Sequence, residues 1–313
     1  MEFKTLNYLD LLSFTPEKLQ DTMDDIKAIG KKIVVLYGNC HMKQIDLYLR
    51  ESPDFMKEYF IIVLPVIFEM QRYGITSINE AVLNSIDLLI FQNIAKDNKF
   101  GPQWASEIIL SSINSDCKKI CVPNTVFLGY FPQEGIRHDT IIRNQIDFVP
   151  MFCGDKYIDF EYTNTRSIKE TIRHLSDPNH YMRNDVENNL EISFRLLEMQ
   201  DMECDVQMRD YVISNYKDNC LFTEPKHPTN PFFHEMTDRI LSLLGICKLN
   251  ANLELDSQDG LSTINRLFYP SVVDMLKLGF NKSDYYIDKR LTTQKFSFEE
   301  FIEVYIRNVC EME

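Results

Sequence analysis

The stretch best suited to chemistry is Gly-Asn-Cys-His, residues 38–41, which directly follows a run of large apolar and β-branched residues. Residues 33–37 predict a fully buried strand, and residues 42–50 carry apolar side chains at helical spacing. Cys40 therefore comes just before a helix N-terminus, whose dipole favours a thiolate. The thiolate is the nucleophilic form of cysteine, so Cys40 is a candidate catalytic residue. The alternative is a buried structural cysteine, because free cysteines are often buried.

A second candidate is His227, in the late segment Leu-Phe-Thr-Glu-Pro-Lys-His-Pro, residues 221–228. Pro225 and Pro228 restrict the backbone on both sides, and a histidine held in this way is suited to act as a general base. A surface loop histidine is the alternative. His41 is a rival base, although the side chains of adjacent residues such as Cys40 and His41 usually point apart.

Residues 122–143 contain a local group of amide, aromatic and basic side chains in an otherwise acidic chain. They are Asn124, Tyr130, Arg137, His138 and Arg143. The three basic side chains, together with Lys226, are candidates for binding phosphates, and Tyr130 or Phe131 is a candidate for packing against a ring of the ligand. A solvated helix face is the alternative for each of them.

Apolar runs alternate with segments of helical periodicity in the first half of the chain. Strands are predicted at 33–37, 60–64, 88–91 and 119–122, and helices at 42–50, 77–85 and 102–112. This alternation is typical of a mostly parallel sheet with helices on its faces, in which ligands bind at the carboxyl ends of the strands. Candidate cofactor-binding residues follow three of these ends: Gly38, Asn39, Gln92, Asn93 and Asn124.

The second half of the chain shows helical periodicity and clear helix starts, such as Ser297 and Glu300 at the spacing of a capping box. The expected fold class is α/β, with a small, mostly parallel subdomain of about four strands embedded in a predominantly helical protein. We divide the chain into an N-terminal helical segment (1–30), the α/β subdomain (31–150) and a mainly helical region (151–313) that contributes the His227 loop.

The composition excludes some classes of protein. The 47 acidic and 33 basic side chains give a formal charge of −14, which opposes general binding to nucleic acid or to an anionic membrane. No apolar run approaches the roughly 20 residues of a membrane span, and the N-terminus lacks the pattern of a secretory signal. We expect a cytoplasmic protein with its eight cysteines reduced. The cysteine spacing predicts no metal site.

Four segments together resemble the WcbI-type capsular polysaccharide biosynthesis family. The shared pattern has a Gly-Asn-Cys element after the first strand, a glutamine at the third strand end, a proline-aromatic segment and a late Leu-Phe-Thr…His-Pro block. These elements correspond here to residues 38–40, 92, 122–132 and 221–228. His41 stands where the family commonly has glutamine. The resemblance covers residues 31–280 and implies a mainly helical protein with an α/β subdomain. It further implies a loop-lined cleft for coenzyme A and O-acetylation of a surface glycan.

The order of candidate residues is also similar to that of SGNH esterases, in which a nucleophile follows the first strand and a histidine comes late. Cys40 and His227 would take those two roles. Glu224 stands three residues before His227, where an SGNH esterase has an aspartate.

The leading hypothesis is an acyltransferase that moves acetyl from acetyl-coenzyme A to a sugar hydroxyl in capsular or surface polysaccharide biosynthesis. Cys40 and His227 would face each other across a cleft, with His227 as the base. The turn at 38–41 and Asn93 or Asn124 would stabilise the oxyanion. The acceptor would be a glycan or sugar nucleotide, and other polysaccharide biosynthesis enzymes would be partners. It is left open whether Cys40 carries the acetyl group or only lines the site.

Two other hypotheses follow from the same residues. A thiol esterase or deacetylase of the SGNH type would hydrolyse acetyl esters without coenzyme A. A non-catalytic ligand-binding component of a glycan assembly complex would bind a ligand without transferring any group.

Overall fold

The computed structural model describes residues 5–135, 154–180, 183–251, 253, 261, 264–280, 286–288 and 294–311. The α/β class and the largely helical surroundings of the sheet are confirmed. The chain forms two compact units. Unit 1 comprises Met1–Asn124, Met199–Met208 and Asn230–Ser257, and unit 2 comprises Thr125–Glu198, Arg209–Thr229 and Gln258–Glu313.

Unit 1 contains a five-stranded, fully parallel sheet with the strand order β1-β3-β2-β4-β5. Its strands are β1 (Thr5–Asn7), β2 (Lys32–Tyr37), β3 (Tyr59–Val63), β4 (Leu88–Gln92) and β5 (Lys118–Val122). The four predicted strands are confirmed to within one residue at each end. The edge strand β1 was not predicted, because three residues with polar ends carry no apolar run to read.

The helices of the described chain surround this sheet or build unit 2. In chain order they are α1 (Tyr8–Leu11), α2 (Pro16–Ala28), α3 (His41–Arg50), α4 (Pro53–Glu58), α5 (Ile67–Arg72), α6 (Glu80–Ser85), α7 (Ser106–Ser112), α8 (Lys156–Thr165), α9 (Ile168–Leu175), α10 (Arg183–Glu203), α11 (Arg209–Asn215), α12 (Asn230–Leu244), α13 (Pro270–Leu276) and α14 (Phe298–Tyr305). None of the helices in the described ranges is long and apolar enough to cross a membrane.

Local capping explains where several helices begin. The helix predicted at 77–85 begins only at Glu80, because the Asn79 side chain accepts a hydrogen bond from the Ala81 N–H and caps the helix. The helix predicted at 102–112 is divided into a 3-10 turn and α7. The capping box of Ser297 and Glu300 is confirmed at the start of α14.

Strand β2 is buried over almost its whole length, as its apolar sequence requires in a sheet covered on both faces. Ile33 and Val35 pack with Leu19 and Met23 of α2 in one apolar cluster, all four with exposed fractions of 2% or less. The apolar run thus holds the sheet rigidly, and the polar residues that follow it are presented at its carboxyl edge.

Unit 2 contains an aromatic cluster and three short antiparallel strand pairs. Phe127 stacks on Phe222 with ring centroids 4.9 Å apart, and Tyr130 contacts both rings. Strands β6 (Glu134–Gly135) and β7 (Gly154–Asp155) form one antiparallel pair, and strands β8 (Phe222–Glu224) and β9 (His227–Pro228) form another. A third pair consists of β10 (Ile264–Asn265) and β11 (Ile287–Asp288).

Asp155 is a fully buried carboxyl at the start of α8. Its Oδ1 accepts hydrogen bonds from the N–H groups of Tyr157 and Ile158, each at 3.1 Å, and its Oδ2 accepts one from the Tyr269 hydroxyl at 2.8 Å. Burial raises the pKa of Asp155 from its ordinary value of 3.8 to about 7, and the nearby Asp159 acts in the same direction.

We therefore expect unit 2 to lose stability as the pH rises from about 4 to about 7. In this window the unfolded chain releases the Asp155 proton while the folded chain retains it, so rising pH favours unfolding. The effect is at most about 4 kcal/mol. The Asp155→Asn variant keeps a capping side chain without the titration, so its free energy of unfolding in urea should change less over this range. Parallel pH curves for the two proteins would contradict the assignment.

Candidate active site

The Gly-Asn-Cys-His turn joins β2 to α3 at the carboxyl edge of the unit 1 sheet. The Asn39 side chain stabilises the turn, because its Oδ1 accepts a hydrogen bond at 2.9 Å from the N–H of His41, the first residue of α3. The Met42 N–H donates to the Asn39 carbonyl at 3.0 Å, and the Lys43 N–H donates to the Cys40 carbonyl at 3.2 Å. Cys40 is half-buried directly before the helix. Its N–H makes none of these bonds and is the turn's candidate donor to an oxyanion.

Gln92, at the end of β4, connects the ends of the two neighbouring strands. Its Oε1 accepts a hydrogen bond from the Asn39 N–H at 2.8 Å, and its Nε2 donates to the Pro123 carbonyl at 3.3 Å. These partners follow β2 and β5, which flank β4 in the sheet. Since Gln92 has an exposed fraction of 1%, it acts as a buried cross-link that sets the position of the turn before Cys40.

Gly38 is required by the close approach of Gln92. A Cβ atom at this position would lie 2.5 Å from Gln92 Oε1 and 3.0 Å from Met42 Cγ. Both contacts are tighter than ordinary van der Waals separation, so any side chain here would displace the amide that holds Asn39. The Gly-Asn-Cys element and the glutamine at the end of the third predicted strand therefore depend on each other: Gly38 leaves room for the Gln92 amide, and this amide holds Asn39.

The other amides at this edge are held by protein groups. Asn39 Nδ2 donates to Asn124 Oδ1 at 2.7 Å, and Gln200 Nε2 donates to the Asn124 carbonyl at 2.6 Å. Asn93 is exposed, and its Nδ2 lies 3.5 Å from Glu203 Oε2. The structure thus brings together Gly38, Asn39, Gln92 and Asn124 around the turn, as the strand-end rule predicts.

His41, predicted as a rival to His227 for the role of base, is buried beside the turn. Its side chain has an exposed fraction of 1%. The Nδ1 atom lies 3.3 Å from Gln92 Nε2. The imidazole packs edge-on against the ring of Phe233 in α12, with the two ring centroids 5.5 Å apart. A group buried in this way packs the turn against the helix and offers no surface to a substrate hydroxyl.

His227 belongs to unit 2, where it lies in the β8–β9 hairpin and not in an irregular loop. Its Nδ1 contacts Glu224 Oε1 across the hairpin. The side chain of His227 is 24% exposed and that of Glu224 is 10% exposed. A carboxylate beside Nδ1 favours the tautomer that carries its proton on this nitrogen, and Nε2 is then the nitrogen that can accept a proton. This is the arrangement that a general base requires.

Arg266 holds the carboxylate of Glu224 from the other side. Its Nε lies 3.7 Å from Glu224 Oε2, and its Nη1 contacts Glu134 Oε2. Arg266 is only 7% exposed, so it is a buried cation shared by two glutamates. Sequence reasoning missed Arg266, because no motif surrounds it and only the fold brings it to Glu224, where its N–H donates to the Thr223 carbonyl. The spacing of Glu224 and His227 was visible in the sequence, but their contact was not.

Several residues that were expected to bind a cofactor belong to unit 2 or lie outside the described residues. Tyr130 is fully buried, and its hydroxyl donates to the carbonyls of Tyr216 and Asn219. Its ring packs in the aromatic cluster of unit 2. Lys226 is exposed at the tip of the hairpin. The remaining phosphate-binding candidates, Arg137, His138 and Arg143, lie outside the described residues.

These features define a class: an open, parallel α/β protein with a half-buried cysteine between the first long strand of its sheet and the following helix. The family model described as "Polysaccharide biosynthesis enzyme WcbI" matches residues 33–249. The chain belongs to this family of polysaccharide biosynthesis enzymes, and the resemblance expected from the four segments is confirmed.

Comparison with solved structures supports the same fold. A structure of WcbI, described as a novel polysaccharide biosynthesis enzyme, matches with a TM-score of 0.72 at 16% sequence identity. The match covers 89% of this chain and 89% of that chain. That protein is described as native, without a disulfide bond between coenzyme A and one of its cysteines. No curated protein matches the sequence.

Proposed function

We propose that this protein is an O-acetyltransferase that moves acetyl from acetyl-coenzyme A to a sugar hydroxyl in capsular or surface polysaccharide biosynthesis. The observation that carries the proposal is the half-buried Cys40 thiol in a turn held by Gln92 at the carboxyl edge of the sheet. A family member is described in relation to a disulfide between coenzyme A and a cysteine. Cys40 is the candidate for the corresponding contact here.

The donor set at this edge suits the thiol end of coenzyme A. Cys40 offers a sulfur atom, and the N-terminus of α3, ten residues long, offers positive potential to an anion or a polarised carbonyl. Asn39 and Asn124 add amide groups beside it. Because the whole chain has a formal charge of −14, the phosphates need a local basic cluster. Lys226, Arg137, His138 and Arg143 are proposed for that role.

In the proposed reaction His227 would remove the proton of the sugar hydroxyl through Nε2, and Glu224 would stabilise the imidazolium that forms. The new ester bond replaces the thioester C–S bond, and the imidazolium returns its proton to the leaving thiol. Acetyl-coenzyme A supplies an acyl carbon that is already activated as a thioester. The Cys40 N–H and the α3 N-terminus stabilise negative charge on the acyl oxygen. Direct transfer to the sugar hydroxyl needs no acyl-enzyme intermediate. Two roles of Cys40 are therefore compatible with the proposal: it carries the acetyl group covalently, or it only lines the site.

The biological setting is also part of the proposal. The acceptor is a glycan or a sugar nucleotide, and the protein works in the cytoplasm beside other polysaccharide biosynthesis enzymes. The family's description as a polysaccharide biosynthesis enzyme supports this setting.

Calorimetric titration of the reduced protein with coenzyme A tests the cofactor. We expect saturable binding at one site that weakens several-fold at raised salt, because the phosphates are held by charge. Cys40→Ala should change the affinity in the reduced protein only modestly and should abolish any disulfide formed with coenzyme A under oxidising conditions. Cys247→Ala, at an exposed position, is the matched control for that disulfide. The absence of binding by the folded protein would overturn the proposal.

A thiol esterase is the second candidate, and the contact between Glu224 and His227 favours it. This pair provides the carboxylate-oriented histidine that an SGNH-like esterase uses, with glutamate in place of aspartate. The esterase would hydrolyse simple acetyl esters without coenzyme A and would lose activity in Cys40→Ala. Ligand binding without transfer or hydrolysis would instead support a non-catalytic component of a glycan assembly complex.

A further inference from the structure

Two cysteines of unit 1, distant in sequence, bring their sulfur atoms together beside the sheet. Cys121 lies in β5, and Cys204 directly follows the end of α10. The Sγ atoms are 3.3 Å apart although the residues are 83 positions apart in the chain. The separation is within hydrogen-bonding range and exceeds the S–S bond length of about 2.05 Å by little more than 1 Å.

The backbone around this thiol pair is held by an independent set of hydrogen bonds. The Cys121 N–H donates to Asp205 Oδ2 at 2.7 Å. The Cys121 carbonyl accepts from the N–H groups of Asp205 and Val206 at 3.0 and 3.1 Å. The two chain segments are therefore fixed against each other before any covalent bond forms, so bond formation requires only a small movement of the side chains.

The two thiols differ in exposure and in acidity. Cys204 is half-buried, whereas Cys121 has an exposed fraction of 6%. The hydrogen bond between them lowers the pKa of Cys121 and raises that of Cys204, so the pair retains one proton and releases the other more readily. A pair of this kind combines a thiolate with a resolving thiol at hydrogen-bonding distance.

We propose that Cys121 and Cys204 form a redox-active dithiol site that is oxidised to an intramolecular disulfide by low-molecular-weight disulfides. In the first step a thiolate of the pair attacks one sulfur of the small disulfide, which gives a mixed disulfide and releases one small thiolate. The second cysteine then attacks the protein sulfur and releases the other small thiolate. In the net reaction the two cysteines are oxidised and one small disulfide is reduced to two thiols.

The disulfide would act on the edge of the sheet that carries the candidate site. The segment beside Cys204 already contacts this edge, because Glu203 Oε2 lies 3.5 Å from Asn93 Nδ2 and Gln200 Nε2 donates to the Asn124 carbonyl. A covalent bond to β5 would restrict this segment for as long as the disulfide remains oxidised. The disulfide would also close a long loop. It should therefore lower the conformational entropy of the unfolded chain and so raise the free energy of unfolding.

The test is oxidation of the full chain with oxidised glutathione, followed by digestion and mass spectrometry. We expect a peptide pair joined through Cys121 and Cys204, the loss of two hydrogen atoms in mass, and a rise in Tm that a reductant reverses. The cross-linked pair should be absent from Cys204→Ser, and the protein should then retain glutathione at Cys121 or no modification there. Cys247→Ser is the matched control and should keep the cross-link.

Two results with the wild-type chain would overturn the proposal. A stable mixed disulfide with glutathione at either cysteine of the wild-type chain, without the cross-link, would overturn the proposal. So would a folded wild-type chain in which both thiols stay reduced. If Cys204→Ser does not fold, Cys121→Ala provides the second variant, because alanine fills the buried position without a polar group.

Discussion

Replacing His227 by alanine is expected to lower the kcat of acetyl transfer by about 10²- to 10⁴-fold, the usual contribution of a general base. The expectation rests on the contact of His227 Nδ1 with Glu224, which leaves Nε2 to take the hydroxyl proton. The measurement is the steady-state release of free coenzyme A from acetyl-coenzyme A with a sugar acceptor. Binding of coenzyme A should persist, since the loss concerns proton transfer.

Two variants serve as controls for this experiment. Glu224→Gln keeps the shape of the side chain but removes its charge, so it should give a smaller loss of kcat than His227→Ala. His234→Ala removes a histidine whose ring contacts Tyr48 and whose Nε2 bonds the Asn250 carbonyl. It should leave kcat near the wild-type value. Equal activity of His227→Ala and wild type would remove His227 from the reaction.

Replacing Gln92 by leucine should have the largest effect on the strand-end site. Leucine has a similar volume but leaves the Asn39 N–H and the Pro123 carbonyl without the partner that now lies at 2.8 and 3.3 Å. Each buried group without a partner costs about 1–3 kcal/mol, so we expect the free energy of unfolding to fall by roughly 2–6 kcal/mol. Urea denaturation measures this change.

The same variant should weaken coenzyme A binding by about tenfold or more, because a shift of the turn displaces the Asn39 amide and the N-terminus of α3. A tenfold loss corresponds to about 1.4 kcal/mol of binding free energy. The matched control is Gln71→Leu, the same substitution at an exposed position of α5. Its stability should stay within about 0.5 kcal/mol of wild type. A Gln92→Leu protein with unchanged stability and affinity would show that the cross-link does not hold the site.

The sequence alone determined the elements that depend on local pattern. The apolar run before Gly38 predicts β2, since a strand buried on both faces must be apolar at nearly every position. The spacing of Ser297 and Glu300 predicts the start of α14. This signal is also local, because both partners of the capping box lie within one helical turn. The polar residues after β2, β4 and β5 mark the edge of the sheet at which a ligand is expected.

Tertiary structure decided which of these polar groups are available for chemistry. His41 packs against Phe233, which comes from a helix almost two hundred residues later, and the Tyr130 hydroxyl donates to the Tyr216 carbonyl. Gly38 is needed because of Gln92, and Glu224 becomes the partner of His227 only in a hairpin. These contacts join residues that are far apart in the sequence, or they form only when the chain folds into a hairpin. The sequence therefore supplies the candidate groups, and packing selects among them.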